Sequence, residues 1–180
     1  MFSKNEYIIY GSTGVCKIID IVKKKFGFNK EREYYILKPA YDTNSTIYAP
    51  IDNEKISIRK IMTKEEVYDL IKTMPDNETI WIDDMNLRKE TYNEILKKGN
   101  KKDIVKLIKT LYMEKLRKKE EGKKLNAGDE KIMNEAEKLL HEEFALILNI
   151  KVDEVLPFIL GKLSPEEKEN FNFWLFSLKI

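Results

Sequence analysis

Residues 7–19, YIIYGSTGVCKII, decide the class of fold this chain adopts. Two runs rich in Ile, Tyr and Val flank Gly11-Ser12-Thr13-Gly14, and β-branched or aromatic runs on both sides of a glycine turn are the pattern of a β-hairpin. Glycine pairs of this kind also cradle phosphates. A Walker loop, however, needs Gly-Lys-Ser/Thr and then a helix, whereas here Val15-Cys16 follow and lead into a strand. The GxxG loop that clamps nucleic-acid backbone in KH modules lies between helices, and this one lies between strands. Context therefore makes the turn a chain reversal and disfavours a phosphate-binding enzyme built on it.

Outward from the turn, residues 15–22, 33–37 and 46–49 repeat the strand composition, and residues 56–61 alternate apolar and polar side chains. Residues 23–32 read as a charged hairpin loop in which Gly27 is free to take a positive φ, and Asp42-Thr43-Asn44-Ser45 reads as a second turn. Five short strands with no helix between them predict a small antiparallel barrel. After Met62 the period changes to that of a helix. Thr63-Lys64-Glu65-Glu66 is a capping box, Val67, Leu70, Ile71 and Met74 share one face, and Pro75 stops the helix. Residues 86–98 form a second helix closed by Gly99 as a left-handed cap. Ile104, Leu107, Ile108, Leu111 and Tyr112 carry a third, and residues 120–124 break it around Gly122. Ile132, Met133, Ala136, Leu139, Leu140, Phe144 and Leu148 mark the longest amphipathic helix. Residues 152–163, and those from Ser164-Pro165 onward, supply two shorter ones. The class expected is α+β: a small barrel over residues 1–62, then a helical bundle over residues 63–180.

The chain holds 33 Lys+Arg against 31 Asp+Glu, a balance that hides local asymmetry. Residues 81–125 carry 14 basic and 8 acidic side chains, whereas residues 126–180 carry 6 and 11. A basic middle suggests an anionic partner. Lys97, Lys98, Lys101, Lys102, Lys106 and Lys109 surround the Gly99 turn and one side of the next helix. Trp81 precedes this segment, where an indole among lysines can wedge into a minor groove while the lysines take phosphates. Packing of Trp81 in the protein is the competing explanation.

Catalytic chemistry is poorly supplied. His141 is the single histidine and Cys16 the single cysteine, too few for a nucleophile held by a His–carboxylate pair or for a zinc site. No catalytic residue, metal or cofactor is expected. One cysteine cannot form an internal disulfide, the N-terminus lacks the form of a signal peptide, and the apolar C-terminal NFNFWLFSLKI is too short to span a bilayer. A cytoplasmic protein without membrane contact is expected.

The whole pattern resembles the CarD/CdnL family of bacterial RNA-polymerase-binding transcription regulators. Tyr10-Gly11-Ser12-Thr13-Gly14-Val15 is similar to the opening hairpin of that family's Tudor-like (SH3-like) barrel. Tyr34-Tyr35-Ile36-Leu37, then Thr46-Ile47-Tyr48-Ala49-Pro50-Ile51-Asp52-Asn53, then Ile58-Arg59-Lys60-Ile61 resemble its later strands. Leu96-Lys97-Lys98-Gly99-Asn100 is similar to a family turn, and Leu125-Asn126-Ala127-Gly128-Asp129-Glu130-Lys131 to a family helix start. Each motif is weak alone; their order and spacing over residues 6 to 150 make the likeness specific.

The resemblance implies a non-catalytic regulator. Its barrel would dock on the polymerase β subunit by edge-strand pairing. Its helical domain would hold double-stranded promoter DNA at the upstream edge of the bubble, through minor groove and phosphates with little sequence specificity, and stabilise the open complex as a monomer. The polymerase contact falls on Lys24 and Lys25 and on Thr46, Ile47 and Tyr48, where Tyr48 replaces an arginine of many relatives. The DNA contact falls on Arg88 and Lys131, with the amides after Asn126 assisting, and on the basic pair Lys97 and Lys98. Trp81 is the expected wedge. By spacing from Gly99, though, the family's tryptophan position is Met85, which is the alternative. Residues 113–124 are longer and more basic than in relatives. The extension past residue 150 ends in Phe171-Asn172-Phe173-Trp174-Leu175-Phe176. A competing class is a protein-only adaptor that links the polymerase to a second protein through those C-terminal helices.

Overall fold

The computed structural model describes residues 1–26, 31–42, 44–53, 55–74 and 78–166. The chain divides into two compact units, Met1–Ile61 and Met62–Ile180. The first is a five-stranded antiparallel sheet: β1 (Tyr7–Tyr10), β2 (Gly14–Lys24), β3 (Arg32–Pro39), β4 (Ile47–Pro50) and β5 (Ile58–Lys60), in the order β4-β3-β2-β1-β5. The glycine turn reverses the chain as its sequence predicts: Tyr10 faces Gly14 across the β1–β2 hairpin, and Gly11–Thr13 form a single 3-10 turn. Gly11 sits at φ 46° and Gly14 at φ 85°, ψ −142°. The Gly11 amide donates to the Ser57 carbonyl at 2.8 Å and so ties the turn to the chain entering β5.

β2 is long and slips register between Ile18 and Asp20. Such a bulge raises the local twist, which lets one sheet curl around its own core of Ile8, Tyr10, Cys16, Ile18, Tyr35, Leu37 and Ala49. The last strand is shorter than the 56–61 alternation predicts, because Ile56 is exposed and only Ile58–Lys60 pair with β1. The result is the barrel-like first half of an α+β fold, with β4 and β5 at its two edges.

The second unit contains α1 (Lys64–Thr73), α2 (Met85–Lys98), α3 (Lys101–Glu120), α4 (Ala127–Leu148) and α5 (Val155–Lys162). Capping side chains set the starts. Thr63 Oγ1 accepts from the Glu66 amide at 3.2 Å while the Thr63 amide donates to Glu66 Oε2 at 2.9 Å, completing the capping box. Asp84 Oδ1 accepts from the Leu87 amide at 2.8 Å, so α2 begins at Met85, one residue earlier than the periodicity alone suggests. Asn100 caps α3 and Asn126 caps α4. Gly99, at φ 65°, ψ 22°, is the left-handed cap that ends α2. The core of this unit gathers Val67, Leu70 and Ile71 of α1, Tyr92 and Leu96 of α2, Leu107, Ile108 and Leu111 of α3, Phe144 of α4 and Ile159 of α5. The buried Met62 amide donates to Glu143 of α4 at 2.9 Å. Gly27, Thr43, Pro75 and the aromatic stretch 171–176, singled out in the sequence, lie outside the described residues, as does the continuation of the segment beginning at Ser164-Pro165. Among the described residues no helix is long and apolar enough to cross a membrane.

Candidate functional site

The helical unit concentrates its unusual chemistry where α2 and α4 begin. Arg88, one turn into α2, is buried, and so is Asp129, the third residue of α4. Nε of Arg88 donates to Asp129 Oδ1 at 3.2 Å and Nη2 donates to Oδ2 at 3.0 Å, the two-point geometry that suits a guanidinium to a carboxylate. Nη1 donates to the carbonyls of Ile82 at 2.7 Å and Asp83 at 3.1 Å. These bonds with Asp129 push the Arg88 pKa up, and burial works against that rise. Above the guanidinium lies Trp81, its ring centre 4.3 Å from Arg88 Cζ, with its indole N–H donating to Asp83 Oδ1 at 3.0 Å. One residue back, Ile80 is held at both ends: its amide donates to Thr110 Oγ1 at 2.9 Å, and its carbonyl accepts from the Tyr92 hydroxyl at 3.0 Å. The segment that carries Trp81 is thus fixed to α2 and α3.

Burial pushes the Tyr92 phenol up to about 12. An unfolded tyrosine ionises near 10, so between those two values the unfolded chain has released a proton that the folded chain keeps. Stability should therefore be intact below the lower value, fall as pH rises between the two, and level off above the higher. Urea denaturation across that range should show the fall, and Tyr92→Phe should flatten it relative to wild type.

Two clefts flank the Arg88–Asp129 pair. One, about 380 Å³, lies between the starts of α2 and α4, with Met85, Lys89, Asn126 and Lys131 among its lining. Met85 is 58 % exposed, and its sulfur lies 3.9 Å from Nδ2 of Asn126. The other, about 460 Å³, has Trp81, Lys118, Lys123 and Lys124 on its walls. The two wedge candidates read from the sequence therefore line different clefts beside one ion pair, Met85 open to solvent and Trp81 half-buried against the core. Around them Lys89, Lys123, Lys124 and Lys131 are exposed, with Lys123 Nζ 3.0 Å from Glu121 and Lys131 Nζ 3.9 Å from Glu135. Arg117 is committed elsewhere, to Glu114 at 2.6 Å and Glu121 at 2.6 Å.

Of the residues predicted for this surface, Trp81, Met85, Arg88 and Lys131 come together. Lys97 and Lys98 do not: they close the far end of α2, about 20 Å away at 1.5 Å per residue, and Lys97 pairs with Glu94 at 3.2 Å. Sequence reasoning missed Asp129 as the anchor of Arg88 and the pair Lys123 and Lys124 as cleft walls. The one local signal was an aspartate three residues after a helix-capping asparagine, which by itself says only that a helix starts there.

In the sheet, Lys24 Nζ lies 4.6 Å from the Tyr48 ring centre and donates to its hydroxyl at 3.3 Å. Phe26 meets Tyr48 edge-on at 5.5 Å and Tyr34 at 5.1 Å, which adds two aromatic rings to the residues expected at the polymerase contact. β4 has β3 on one side and no strand on the other among the described residues. Thr46 and Lys25 are exposed, while Ile47 packs toward the barrel core, leaving its backbone for pairing. His141 is half-buried on α4, its Nε2 has no hydrogen-bond partner among the described residues, and burial lowers its pKa. Among the described residues no cluster of three or more His, Cys, Asp or Glu side chains could hold a metal ion.

Residues 2–62 match the family model of the CarD-like/TRCF RID domain, and residues 66–159 match that of the CarD, C-terminal domain. No curated protein matches the chain.

Proposed function

The chain belongs to the CarD-like family of RNA-polymerase-interacting transcription regulators, and on that premise we propose that it bridges the polymerase β subunit and promoter DNA and stabilises the open complex. In this reading residues 1–62 form the polymerase-docking domain and residues 63–180 the DNA-binding one. Docking adds a strand of the β subunit to the free edge of β4 along Thr46, Ile47 and Tyr48, with Lys24 and Lys25 beside it. Backbone hydrogen bonds give the affinity. The Lys24–Tyr48–Phe26 cluster gives the side-chain surface.

The observation that carries the DNA half is Met85, an apolar side chain more than half exposed at a helix start, in a cleft it shares with Lys89 and Lys131. A thioether wedge partly unstacks a base step in the minor groove while Lys89, Lys123, Lys124, Lys131 and the first amides of α4 take phosphates. Lys97 and Lys98 reach backbone farther along the duplex. A wedge gains its contacts only where DNA is distorted, so it favours the open state over the closed one by its differential affinity. About 1.4 kcal/mol of that preference is a tenfold shift. The role places the chain in the cytoplasm, with polymerase and promoter, and one copy suffices to span both.

Open-complex lifetime measures the effect. Met85→Ala is expected to shorten the protein-dependent lifetime about tenfold. If Met85→Ala changes nothing and Trp81→Ala shortens it, the wedge is Trp81. If neither substitution matters, the wedge reading is wrong.

A further inference from the structure

We propose that Arg88 and Asp129 are positioning residues for the DNA wedge and that neither touches DNA, an inference that rests on the reading of this end as the DNA surface. Arg88 has a basic residue's charge but not its availability. Four of its five N–H bonds are donated inside the protein: two to Asp129, one to Ile82 and one to Asp83. One guanidinium face lies under Trp81. Its side chain is 8 % exposed, and the neutralising carboxylate is 3.0 Å away. A phosphate would have to displace Asp129 and draw the arginine out of the core, leaving an unpaired carboxylate behind, and that exchange is unfavourable.

What the fork does hold is geometry. It ties the second turn of α2 to the first turn of α4 and fixes the chain at residues 82 and 83 beneath the indole. Met85 lies three residues before Arg88, on the same side of α2. Lys131 and the capped amides of α4 lie within two or three residues of Asp129. The pair therefore sets the distance between the apolar wedge and the phosphate-holding groups. No other side chain does this as well as arginine, because the planar fork meets a carboxylate, two carbonyls and a ring face at once, whereas a lysine is a single point charge.

Arg88→Lys and Asp129→Asn separate positioning from contact. Binding of the full chain to fork-junction promoter DNA would be followed by anisotropy across a salt series, with far-ultraviolet circular dichroism confirming the helices. Arg88→Lys keeps the buried charge paired, which makes it the variant that retains its fold. If the pair positions, both substitutions weaken binding roughly threefold to thirtyfold at every salt concentration, and the salt slope stays that of wild type because no phosphate contact is lost. In a Trp174→Phe background, which leaves Trp81 as the only indole of two, both should also shift its emission to the red. If Arg88 instead holds a phosphate, Arg88→Lys binds like wild type and Asp129→Asn, which frees a cation, binds more tightly. Either result overturns the proposal while leaving the DNA reading in place. A wild-type chain with no salt-dependent affinity for the fork overturns both.

Discussion

Asp129→Ala is expected to remove about 3–5 kcal/mol from the stability of the helical unit, the cost of leaving a buried guanidinium without its counter-charge. Arg88 is 6 % exposed and Asp129 5 %, so neither can recover by turning to water. The same deletion strips a negative charge from the first turn of α4, where it complements the helix dipole. Against a total of about 5–15 kcal/mol for a typical domain, this is a large fraction. Replacing both partners tells whether the loss is the pair or the orphan: Arg88→Met with Asp129→Leu should recover most of it, because apolar side chains of similar volume substitute well for a buried ion pair. The recovery stays incomplete, since the Ile82 and Asp83 carbonyls lose their donor. Urea unfolding followed at a helix-sensitive wavelength measures both variants. A single substitution costing less than about 1 kcal/mol would mean that water reaches the guanidinium, as at an exposed pair.

That ion pair also marks the limit of what the sequence discloses. The sheet was legible because its determinants are local: a glycine turn between β-branched runs, strands bounded by turn residues, a change of period after Met62. The helix start at Lys64 was legible for the same reason, from the capping box at Thr63, whereas the helices that Asn100 and Asn126 cap were read from their apolar faces alone. The candidate site was legible as composition and not as arrangement. Arg88 reads as one more basic residue on a helix, and the carboxylate that removes it from the surface is 41 positions away. Lys97 and Lys98 read as neighbours of the same basic segment, yet the rise of α2 carries them to its opposite end. Trp81 and Met85 differ by four positions, and only packing decides that the larger ring is half-buried and the thioether exposed. In the barrel, Tyr48 was visible as a departure from the family. Lys24 was named for the same contact, but its meeting with Tyr48, and Phe26 beside them, were not visible, because β3 must fold between these strands before they meet.

Gly14→Val is expected to destabilise the barrel by up to about 3 kcal/mol, and Gly11→Asn, at a site that is also buried but has a φ asparagine can adopt, by less. The two glycines of the turn look equivalent in sequence and are not. Gly11, at φ 46°, is in the left-handed region that asparagine also visits. Gly14, at φ 85°, ψ −142°, is in a region that side chains with a Cβ essentially never enter, and it is buried as the first residue of β2. A β-branched substitute must move the backbone out of that region. The shift breaks the register that puts Tyr10 opposite Gly14 and Ile9 opposite Val15, and so exposes the Ile8 and Ile18 core behind it. A unit of about 60 residues buries little surface to spare, so a loss of this size populates the unfolded barrel measurably while the helical unit keeps its circular dichroism. The functional readout follows from the proposed docking. Gly14→Val should release the chain from RNA polymerase in a pull-down, whereas Gly11→Asn should keep it bound, and in both cases fork-DNA affinity should stay at the wild-type level. Loss of polymerase binding with an intact barrel melt would place Gly14 itself in the docking surface. Equal effects of the two substitutions would show that the turn tolerates a side chain at both ends, contrary to the backbone it adopts.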